Sequence, residues 1–402
     1  MRALLLTQDF PPALWGGIST YYCQLARCLR GELSVLAPAA RDTADFDRAQ
    51  PFAIHRRRIP ISPPAFMTSR RLQFLRWPRI AYVATAQWTL FYRHALQLVS
   101  EEGVDVTLLG HLYLAPLGPR LRRAGGVRYG VMLFGSELHR YMGWRQIRRA
   151  VVGALNSADF LVVISDFTRR QYLERGVYEG QRFLKVNPGV DSSHFRPGAG
   201  DPEEVRRRHA LGDRPILLSV ARLVEWKGQD TVLRALPEIR VAVPDAAYLV
   251  VGEGPYRPAL EALVRRLGLE RHVFFAGHVP GSELPSYYRA ADVMVVPSRE
   301  FTAGAPAEGF GIVYVEAGAC GTPVVGGRGG GTEESIADGV SGFRVDSDDP
   351  SAVAAAVLRI LQDRELAERM GRAGRERAVD LFDWSMQAER LRDFLRGLVG
   401  EG

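Results

Sequence analysis

The chain has 402 residues, 47% of them hydrophobic and 24% charged, a globular composition that excludes disordered and fibrous classes. Its length predicts two domains of roughly 200 residues each. The apolar runs are too short for a signal peptide or a spanning helix, and three scattered cysteines exclude a disulfide framework or a zinc site. We therefore expect a cytoplasmic protein.

The net charge of +7 is unevenly divided between the two halves. Residues 1–200 carry 27 Lys and Arg against 14 Asp and Glu, whereas residues 201–402 carry 25 against 31. Two interpretations stay open: a solvated arginine-rich surface, or attraction of the first half to anionic lipids on the inner face of a membrane. A nucleic-acid partner is not expected, because no recognised binding motif accompanies the charge.

The chain opens as strand, glycine loop and helix. Ala3–Leu6 is a short apolar run, Gly16 and Gly17 follow in a loop, and Ile18–Leu29 has a helical pattern. This order is typical of a Rossmann-like unit, in which glycines let the backbone approach a ligand and the helix start binds a diphosphate. An ordinary tight turn is the alternative.

The rest of the first half alternates loops, helices and buried strands. Residues 51–78 form a predicted loop rich in Pro and Arg, and the aromatic residues Phe66, Phe74 and Trp77 make it the better candidate for membrane contact. A long helix is predicted at Arg79–Ser100. Strands are predicted at Val104–Leu109, Arg128–Phe134 and Asp159–Ile164, with Ser165 capping the helix after the last of them.

A segment dense in Gly, Pro, Ser and Asp, Val186–Pro202, separates the halves. It predicts a hinge at residues 191–202 between a first domain, 1–190, and a second, 203–383. The second domain alternates strand and helix, which is typical of a doubly wound parallel sheet. Its predicted strands are Ile216–Val220, Tyr248–Val251, Val273–Gly277, Val293–Pro297, Val324–Val325 and Phe343–Val345.

Two glutamates, Glu308 and Glu316, lie eight residues apart within Pro306–Pro323. Gly311–Cys320 fits a buried helix, so Glu308 would precede it and Glu316 lie inside it, about 12 Å further along the axis. Between them, the backbone N–H groups of the helix start would suit a phosphate. These are the groups of Gly309, Phe310, Gly311 and Ile312. The layout can hold a sugar, a diphosphate and a ribose in a row.

Two cations follow the first strand of the second domain, Arg222 and, five residues later, Lys227. Ligands of open parallel sheets bind at the carboxyl ends of strands, so the pair is placed to neutralise a diphosphate. A surface role for either residue is the alternative. Glycoside hydrolysis by Glu308 and Glu316 would need carboxylates about 5–9 Å apart, which their separation along the helix disfavours.

Two further patterns are weaker. Asp346–Asp348 has the D-x-D form of metal-dependent transferases but precedes Pro350 and a helix, so we interpret it as turn and capping residues and predict no metal. Gly326–Gly331 predicts a flexible loop near the sugar. A dehydrogenase is disfavoured, because no G-x-G-x-x-G with a downstream acid follows a strand, and no cofactor is expected.

These motifs resemble retaining, nucleotide-sugar-dependent glycosyltransferases of family 4, which have the GT-B fold: two Rossmann-like α/β domains with parallel sheets facing a central cleft. The resemblance extends from Phe10–Gly17 through Arg222–Gly228 to about Pro350. Two segments look closest to the phosphatidylinositol mannosyltransferase branch: E-G-F-G-I-V-Y-V-E-A at Glu308–Ala317 and G-Q-D-T-V-L-R-A-L-P at Gly228–Pro237.

The resemblance implies metal-independent, retaining transfer of a hexose from a nucleoside diphosphate sugar to an acceptor hydroxyl. Glu308 would bind the sugar hydroxyls and Glu316 the ribose, while Arg222 and Lys227 stabilise the leaving diphosphate. Further donor contacts would come from Gly16 and Gly17 at the diphosphate and from Val279 at the base. In similar chains the last helix, here within 384–402, crosses back to the first domain.

The chain departs from the family's pattern before Gly135. Where the family often has a histidine beneath the donor sugar, this chain has Phe134, which puts that backbone-orienting histidine in doubt. Glu137 matches the acidic residue that follows the turn. His139 or His111 could line the cleft instead, and a structural role for each is the alternative.

The sequence leaves donor and acceptor open. Mannose from GDP-mannose and a lipid acceptor are favoured by the branch and by the basic first domain. A glycan intermediate of the cell envelope or exopolysaccharide, or a small metabolite that receives sugar from UDP or another nucleotide, is an alternative. A non-catalytic sugar-binding GT-B protein is the rival of a different class, supported by Phe134 alone.

Overall fold

The computed structural model describes residues 1–13, 16–61, 73–135, 137–138, 145–299 and 308–400, with the backbone alone at 73–82, 84 and 145–147. The chain divides into two compact units, Met1–Val186 with Ser385–Gly402, and Asn187–Trp384. Residues 191–202, the predicted hinge, lie in the second unit. There the Val190 N–H donates to the Phe382 carbonyl at 2.7 Å and the Trp384 N–H to the Val190 carbonyl at 3.2 Å.

The first unit is built on a parallel sheet of seven strands. Its central strands are fully buried on both faces, which explains why they are continuous apolar runs in the sequence. In spatial order the sheet is β3-β2-β1-β4-β5-β6-β7. The strands are β1 Ala3–Leu6, β2 Leu33–Pro38, β3 Ile54–Arg57, β4 Val106–Leu109, β5 Arg128–Leu133, β6 Phe160–Val163 and β7 Phe183–Lys185.

The prediction of a loop at residues 51–78 is wrong in two places, a strand at Ile54–Arg57 and the start of the long helix. Ile54–Arg57 forms the edge strand of the sheet, with Ile54 opposite Val35. An edge strand tolerates polar side chains, and Arg56 is held by Asp47 at 2.9 Å and lies over the Phe10 ring. The long helix also begins earlier than predicted, at residue 73. The side chains of Phe66, Phe74 and Trp77 lie outside the described residues.

Helices pack around this sheet. Ser165 caps the helix after β6 as predicted, because its hydroxyl accepts the Thr168 N–H at 3.1 Å. The last helix lies with this unit: Arg392 donates to Glu32 at 2.9 Å. The helices are α1 Gly17–Cys28, α2 Ala44–Arg48, α3 Gln73–Glu102, a 3₁₀ helix Leu112–Leu117, α4 Gly118–Gly125, α5 Arg145–Asn156 and α6 Asp166–Leu173, with α15 Trp384–Gly400 at the end of the chain.

The second unit is built on a parallel sheet of six strands in the order β10-β9-β8-β11-β12-β13. The predicted doubly wound sheet is confirmed. Its strands are β8 Ile216–Val220, β9 Ala247–Val251, β10 Val273–Gly277, β11 Val293–Val296, β12 Val324–Gly327 and β13 Gly342–Val345. The helices are α7 Pro202–Arg208, α8 Gln229–Ala242, α9 Arg257–Leu267, α10 Leu284–Ala290, α11 Ile312–Ala319, α12 Thr332–Ser335, α13 Pro350–Gln362 and α14 Arg364–Phe382.

No helix in the described part of the chain has both the length and the apolar character needed to cross a bilayer.

Candidate functional site

The loop between β8 and α8 carries both predicted cations. Glu225–Lys227 forms one 3₁₀ turn, and Gly228 ends it with a left-handed φ of +75°. A Cβ on Gly228 would lie 2.2 Å from the Pro297 carbonyl oxygen, so the turn requires glycine. Arg222 is exposed, whereas the Lys227 side chain is only 13% exposed. The two predicted cations therefore sit in different environments.

The Lys227 ammonium group is held between an aromatic ring and a carboxylate. It lies 4.4 Å from the centroid of the Trp226 ring and donates to Oε2 of Glu308. The Ser298 hydroxyl donates to the same oxygen at 3.1 Å. Both the cation–π contact and the charge-assisted hydrogen bond stabilise the ammonium in one place. The structure thus joins two predicted site residues that are 81 positions apart in the chain.

The helix that follows Glu308 begins where the sequence predicts. α11 starts after Gly311, whose φ is +84°, and Phe310 is buried against Phe382 with ring centroids 5.4 Å apart. The amides of Phe310, Gly311 and Ile312 donate to no described residue. Unpaired N–H groups at a helix start are an anion site by geometry and by the helix dipole. This end of α11 can therefore receive a phosphate beside Lys227 and Glu308.

The prediction of a flexible loop at Gly326–Gly331 is wrong for its first two residues. Gly326 and Gly327 belong to strand β12, and the following glycines pack against the backbone that carries Glu308. The Gly331 N–H donates to the Glu308 carbonyl at 2.7 Å, and a Cβ on Gly330 would lie 2.2 Å from that oxygen. Close backbone approach, rather than mobility, explains the glycines. They fix the position of Glu308.

Replacing Gly311 with alanine is expected to lower the free energy of unfolding by about 2–4 kcal/mol. A Cβ there would meet the Tyr314 ring at 2.3 Å, and that ring cannot yield because it is 1% exposed and its hydroxyl donates to the Val296 carbonyl. Urea unfolding measures the loss. Gly339→Ala is the matched control: its φ is +74°, but an added Cβ meets no described atom within 4 Å. Equal losses in both variants would contradict a role for Tyr314.

Glu316 lies one turn further along α11 and is partly buried. The Tyr288 hydroxyl, itself fully buried, donates to Oε2 of Glu316 at 2.7 Å. Burial raises the pKa of Glu316, and the hydrogen bond from Tyr288 and the charge of His194 offset that rise only in part. No described contact links Glu316 or the buried Val279 to the group around Lys227. Glu316 is therefore a second hydrogen-bonding group on the same helix, separate from the group around Lys227.

The raised pKa of Glu316 predicts a pH dependence of stability. Its folded pKa lies above the ordinary value of about 4.3, so its stabilising contribution is complete below that value and is lost as pH rises through the folded pKa. Glu316→Gln keeps an acceptor for Tyr288 but cannot ionise. The variant should gain stability relative to the wild type between pH 4 and pH 8, measured by urea unfolding. A pH-independent difference would contradict the shift.

The D-x-D segment serves as turn residues. Asp346 accepts the Asp348 N–H at 3.0 Å, Asp348 pairs with Arg299 at 2.6 Å, and Asp349 caps α13 through the Ser351 and Ala352 amides. Among the described residues, no three His, Cys, Asp or Glu side chains form a group that could hold a metal ion.

In the first unit, His111 and Glu137 come together. His111 Nδ1 lies 3.1 Å from Glu137 Oε1 and Nε2 lies 3.0 Å from the Thr7 hydroxyl, while the other Glu137 oxygen accepts the Leu112 N–H at 2.7 Å. Thr7 and His111 follow β1 and β4, and Glu137 follows β5, so the cluster marks the carboxyl ends of three neighbouring strands. His111 is 3% exposed, which favours the structural role left open by the sequence.

Phe134 is packed as a core residue. It is 6% exposed and meets Tyr21 and Tyr22 edge to face, with centroids 5.3 and 5.5 Å away. Gly16 precedes α1 and Gly17 is its first residue, and both are exposed. A Cβ on either glycine would meet no described atom within 4 Å. Local packing therefore does not require these two glycines. His139 lies outside the described residues.

Sequence reasoning missed three residues that hold the site: Ser298, Arg299 and Tyr288. Ser298 and Arg299 lie two and three residues after β11, and the rule that ligands bind at the carboxyl ends of parallel strands could have found them. Tyr288 had no such signal, because an apolar helix face containing tyrosine is typical of an ordinary core.

Comparison with known proteins identifies the family. The model of the glycosyl transferases group 1 matches residues 201–377. Over 400 residues the chain is 36% identical to the GDP-mannose-dependent alpha-(1-6)-phosphatidylinositol monomannoside mannosyltransferase of Mycolicibacterium smegmatis, with 98% of each chain covered. The chain belongs to the glycosyl transferases group 1, and it is a glycosyltransferase.

Solved structures define the fold class. The crystal structure of Anabaena HepE in complex with UDP matches with a TM-score of 0.79 at 20% identity, covering 99% of this chain and 100% of that one. Sucrose-phosphate synthase from Thermosynechococcus elongatus matches with a TM-score of 0.79 at 25% identity, covering 100% of both chains. The predicted GT-B fold is confirmed.

Proposed function

We propose that this glycosyltransferase moves mannose from GDP-mannose to a phosphatidylinositol mannoside, with retention of the anomeric configuration. The observation that carries the proposal is the identity of 36% along the whole of a relative named for that reaction. Identity spread over both units supports a shared acceptor as well as a shared donor, because each unit contributes to a different part of such a reaction.

The donor diphosphate is assigned to the carboxyl end of the second sheet. In the transfer step the acceptor hydroxyl oxygen bonds to C1 of mannose, the bond from C1 to the phosphate oxygen breaks, and the acceptor proton passes to that phosphate oxygen. Negative charge grows on the leaving GDP as the bond breaks. Lys227, Arg222 and the open amides at Gly311 stabilise it more strongly in the transition state than in the bound donor.

Glu308 is assigned to the mannose hydroxyls. In the free protein its carboxylate binds Lys227 and Ser298. When the diphosphate arrives, it attracts the Lys227 ammonium, and the Glu308 oxygen becomes an acceptor for a sugar hydroxyl. Glu316 is assigned to the ribose hydroxyls, with Tyr288 fixing the direction of its carboxylate. Val279, Gly16 and Gly17 remain proposed donor contacts.

The acceptor is assigned to the first unit. A phosphatidylinositol mannoside has an anionic phosphate and lies in a membrane, and residues 1–200 carry a strong excess of arginine. The exposed residues Arg58, Arg120 and Arg123 belong to that excess. We infer that the enzyme works peripherally at an anionic membrane surface, where each basic residue near the surface contributes about 1 kcal/mol.

A panel of donors tests the assignment. Thermal unfolding of the purified protein would be measured with GDP-mannose, UDP-glucose, ADP-glucose and dTDP-glucose, each with and without EDTA. GDP-mannose at a hundred times its Kd should stabilise the protein by about 2.7 kcal/mol, with no effect of EDTA. Stabilisation by another nucleotide sugar alone would overturn the donor, and no stabilisation by any of them would overturn the donor site.

A further inference from the structure

Arg299 is an arginine whose hydrogen-bonding capacity is completely used. Its side chain is 13% exposed, and all five guanidinium N–H groups donate at normal distances. Nε donates to Asp348 at 2.6 Å. Nη1 donates to the Glu225 carbonyl and to Asp230, both at 2.8 Å, and Nη2 donates to Asp230 at 2.9 Å and to the Thr231 hydroxyl at 2.7 Å. Such a set requires a planar, forked cation.

Two of the groups held by Arg299 belong to the turn that carries Lys227. The side chain binds the Glu225 carbonyl, and the backbone N–H of Arg299 donates to the Trp226 carbonyl at 2.8 Å. These two residues directly precede Lys227. The other end of the same loop is held by Gln229, whose side chain donates to the Arg222 carbonyl at 3.1 Å. Side-chain hydrogen bonds therefore hold the loop between β8 and α8 at both Arg222 and Glu225.

The guanidinium group is itself fixed by an acid on the following helix. Asp230 is 6% exposed and binds Arg299 through both carboxylate oxygens, the bidentate geometry that an arginine fork permits. A lysine at position 299 has three donors on a single nitrogen. It cannot bind both oxygens of this carboxylate and the Glu225 carbonyl in the geometry of the arginine fork. Arg299→Lys would therefore weaken the side-chain hold on Glu225 while keeping the positive charge and the backbone bond to Trp226.

We propose that Arg299 is a positioning residue for sugar transfer, which holds the Glu225–Lys227 turn so that the Lys227 ammonium meets the donor diphosphate. Asp230 orients Arg299 and acts through it. The inference rests on the proposed function, since it needs a diphosphate donor at Lys227. Arg299 touches no part of the donor in this role, and its effect passes entirely through Lys227.

The test measures binding of GDP and of guanosine by titration calorimetry to wild type, Arg299→Lys, Lys227→Met and the double variant. Arg206→Lys is the matched control, because Arg206 also binds backbone carbonyls of the same unit, those of Gly212, Arg214 and Ala290. Unfolding in urea places the stability of all variants on one scale.

Arg299→Lys should weaken GDP binding roughly tenfold and leave guanosine binding unchanged, whereas Arg206→Lys should change neither. In the Lys227→Met background, Arg299→Lys should have no further effect on GDP. Equal weakening of GDP and guanosine, or an additive effect in the double variant, would overturn the positioning role. Wild-type protein that binds no GDP would instead overturn the donor assignment, and with it this inference.

Discussion

Glu308→Gln should bind GDP more tightly than the wild type while transferring mannose about 10²–10³-fold more slowly. The rate falls because the carboxylate proposed to bind the sugar hydroxyls is lost. Affinity for GDP rises because Lys227 no longer has an anionic partner in the free protein, where both side chains are only 13% exposed. Initial rates with GDP-mannose and calorimetric titration with GDP measure the two effects separately.

Glu261→Gln is the matched control for this prediction. Glu261 also pairs with a cation in the second unit, Arg257 at 2.8 Å, but there the two side chains are 38% and 40% exposed. That variant should keep both the rate and the affinity of the wild type. A Glu308→Gln enzyme with unchanged turnover would contradict the role of Glu308 at the sugar hydroxyls. Weaker binding of GDP by that variant would show that Glu308 does not compete with the diphosphate for Lys227.

Lys227→Met should lower kcat/KM for GDP-mannose about 10²-fold or more, since removing one partner of a buried, hydrogen-bonded charge pair typically costs 2–5 kcal/mol. Methionine keeps most of the unbranched apolar stem but lacks the ammonium group that lies over the Trp226 ring, so the loss reports that group. GDP affinity should fall together with kcat/KM, because Lys227 is proposed to bind the diphosphate both before and during transfer.

Lys185 provides the control, because it is the other lysine of the chain and also pairs with a carboxylate, Asp166 at 2.6 Å, in the first unit. Lys185→Met should leave kcat/KM within about twofold, as expected of a pair that is a third or more exposed. If both methionine variants lost activity equally, the effect would reflect general destabilisation rather than the donor site.

The second sheet could be predicted from the sequence because its central strands are buried on both faces. Ile216–Val220 and Val273–Gly277 coincide with the strands of the structure, and apolar runs bounded by turn residues carry that signal. The edge strand Ile54–Arg57 could not be predicted in the same way. Three of its four side chains are polar, and its pairing with Val35–Pro38 is set by a strand 19 residues earlier, which no local pattern shows.

The candidate site was predictable in its composition but not in its contacts. Lys227 and Glu308 were singled out from their positions beside strand and helix ends, and the structure brings them together. Two contacts could not be predicted: the hydrogen bond from Ser298 to Glu308, and the hydrogen bond from the Arg299 guanidinium to the turn that carries Lys227. Both depend on how neighbouring strands align, which no local pattern encodes. The prediction of a flexible loop at Gly326–Gly331 failed in part for the same reason, since close contacts with residues distant in the chain, such as that of Gly330 with the Glu308 carbonyl, explain glycine there.

The measurement that tests the central proposal most directly is transfer itself. Purified protein would be incubated with GDP-[¹⁴C]mannose and vesicles that contain phosphatidylinositol monomannoside, and the product linkage would be determined by NMR. We predict an α-linked dimannoside, formed by the wild type and by Lys185→Met but strongly reduced in Glu308→Gln and Lys227→Met. A β-linked product, mannose released to water, or labelled lipid formed equally by all four proteins would contradict it.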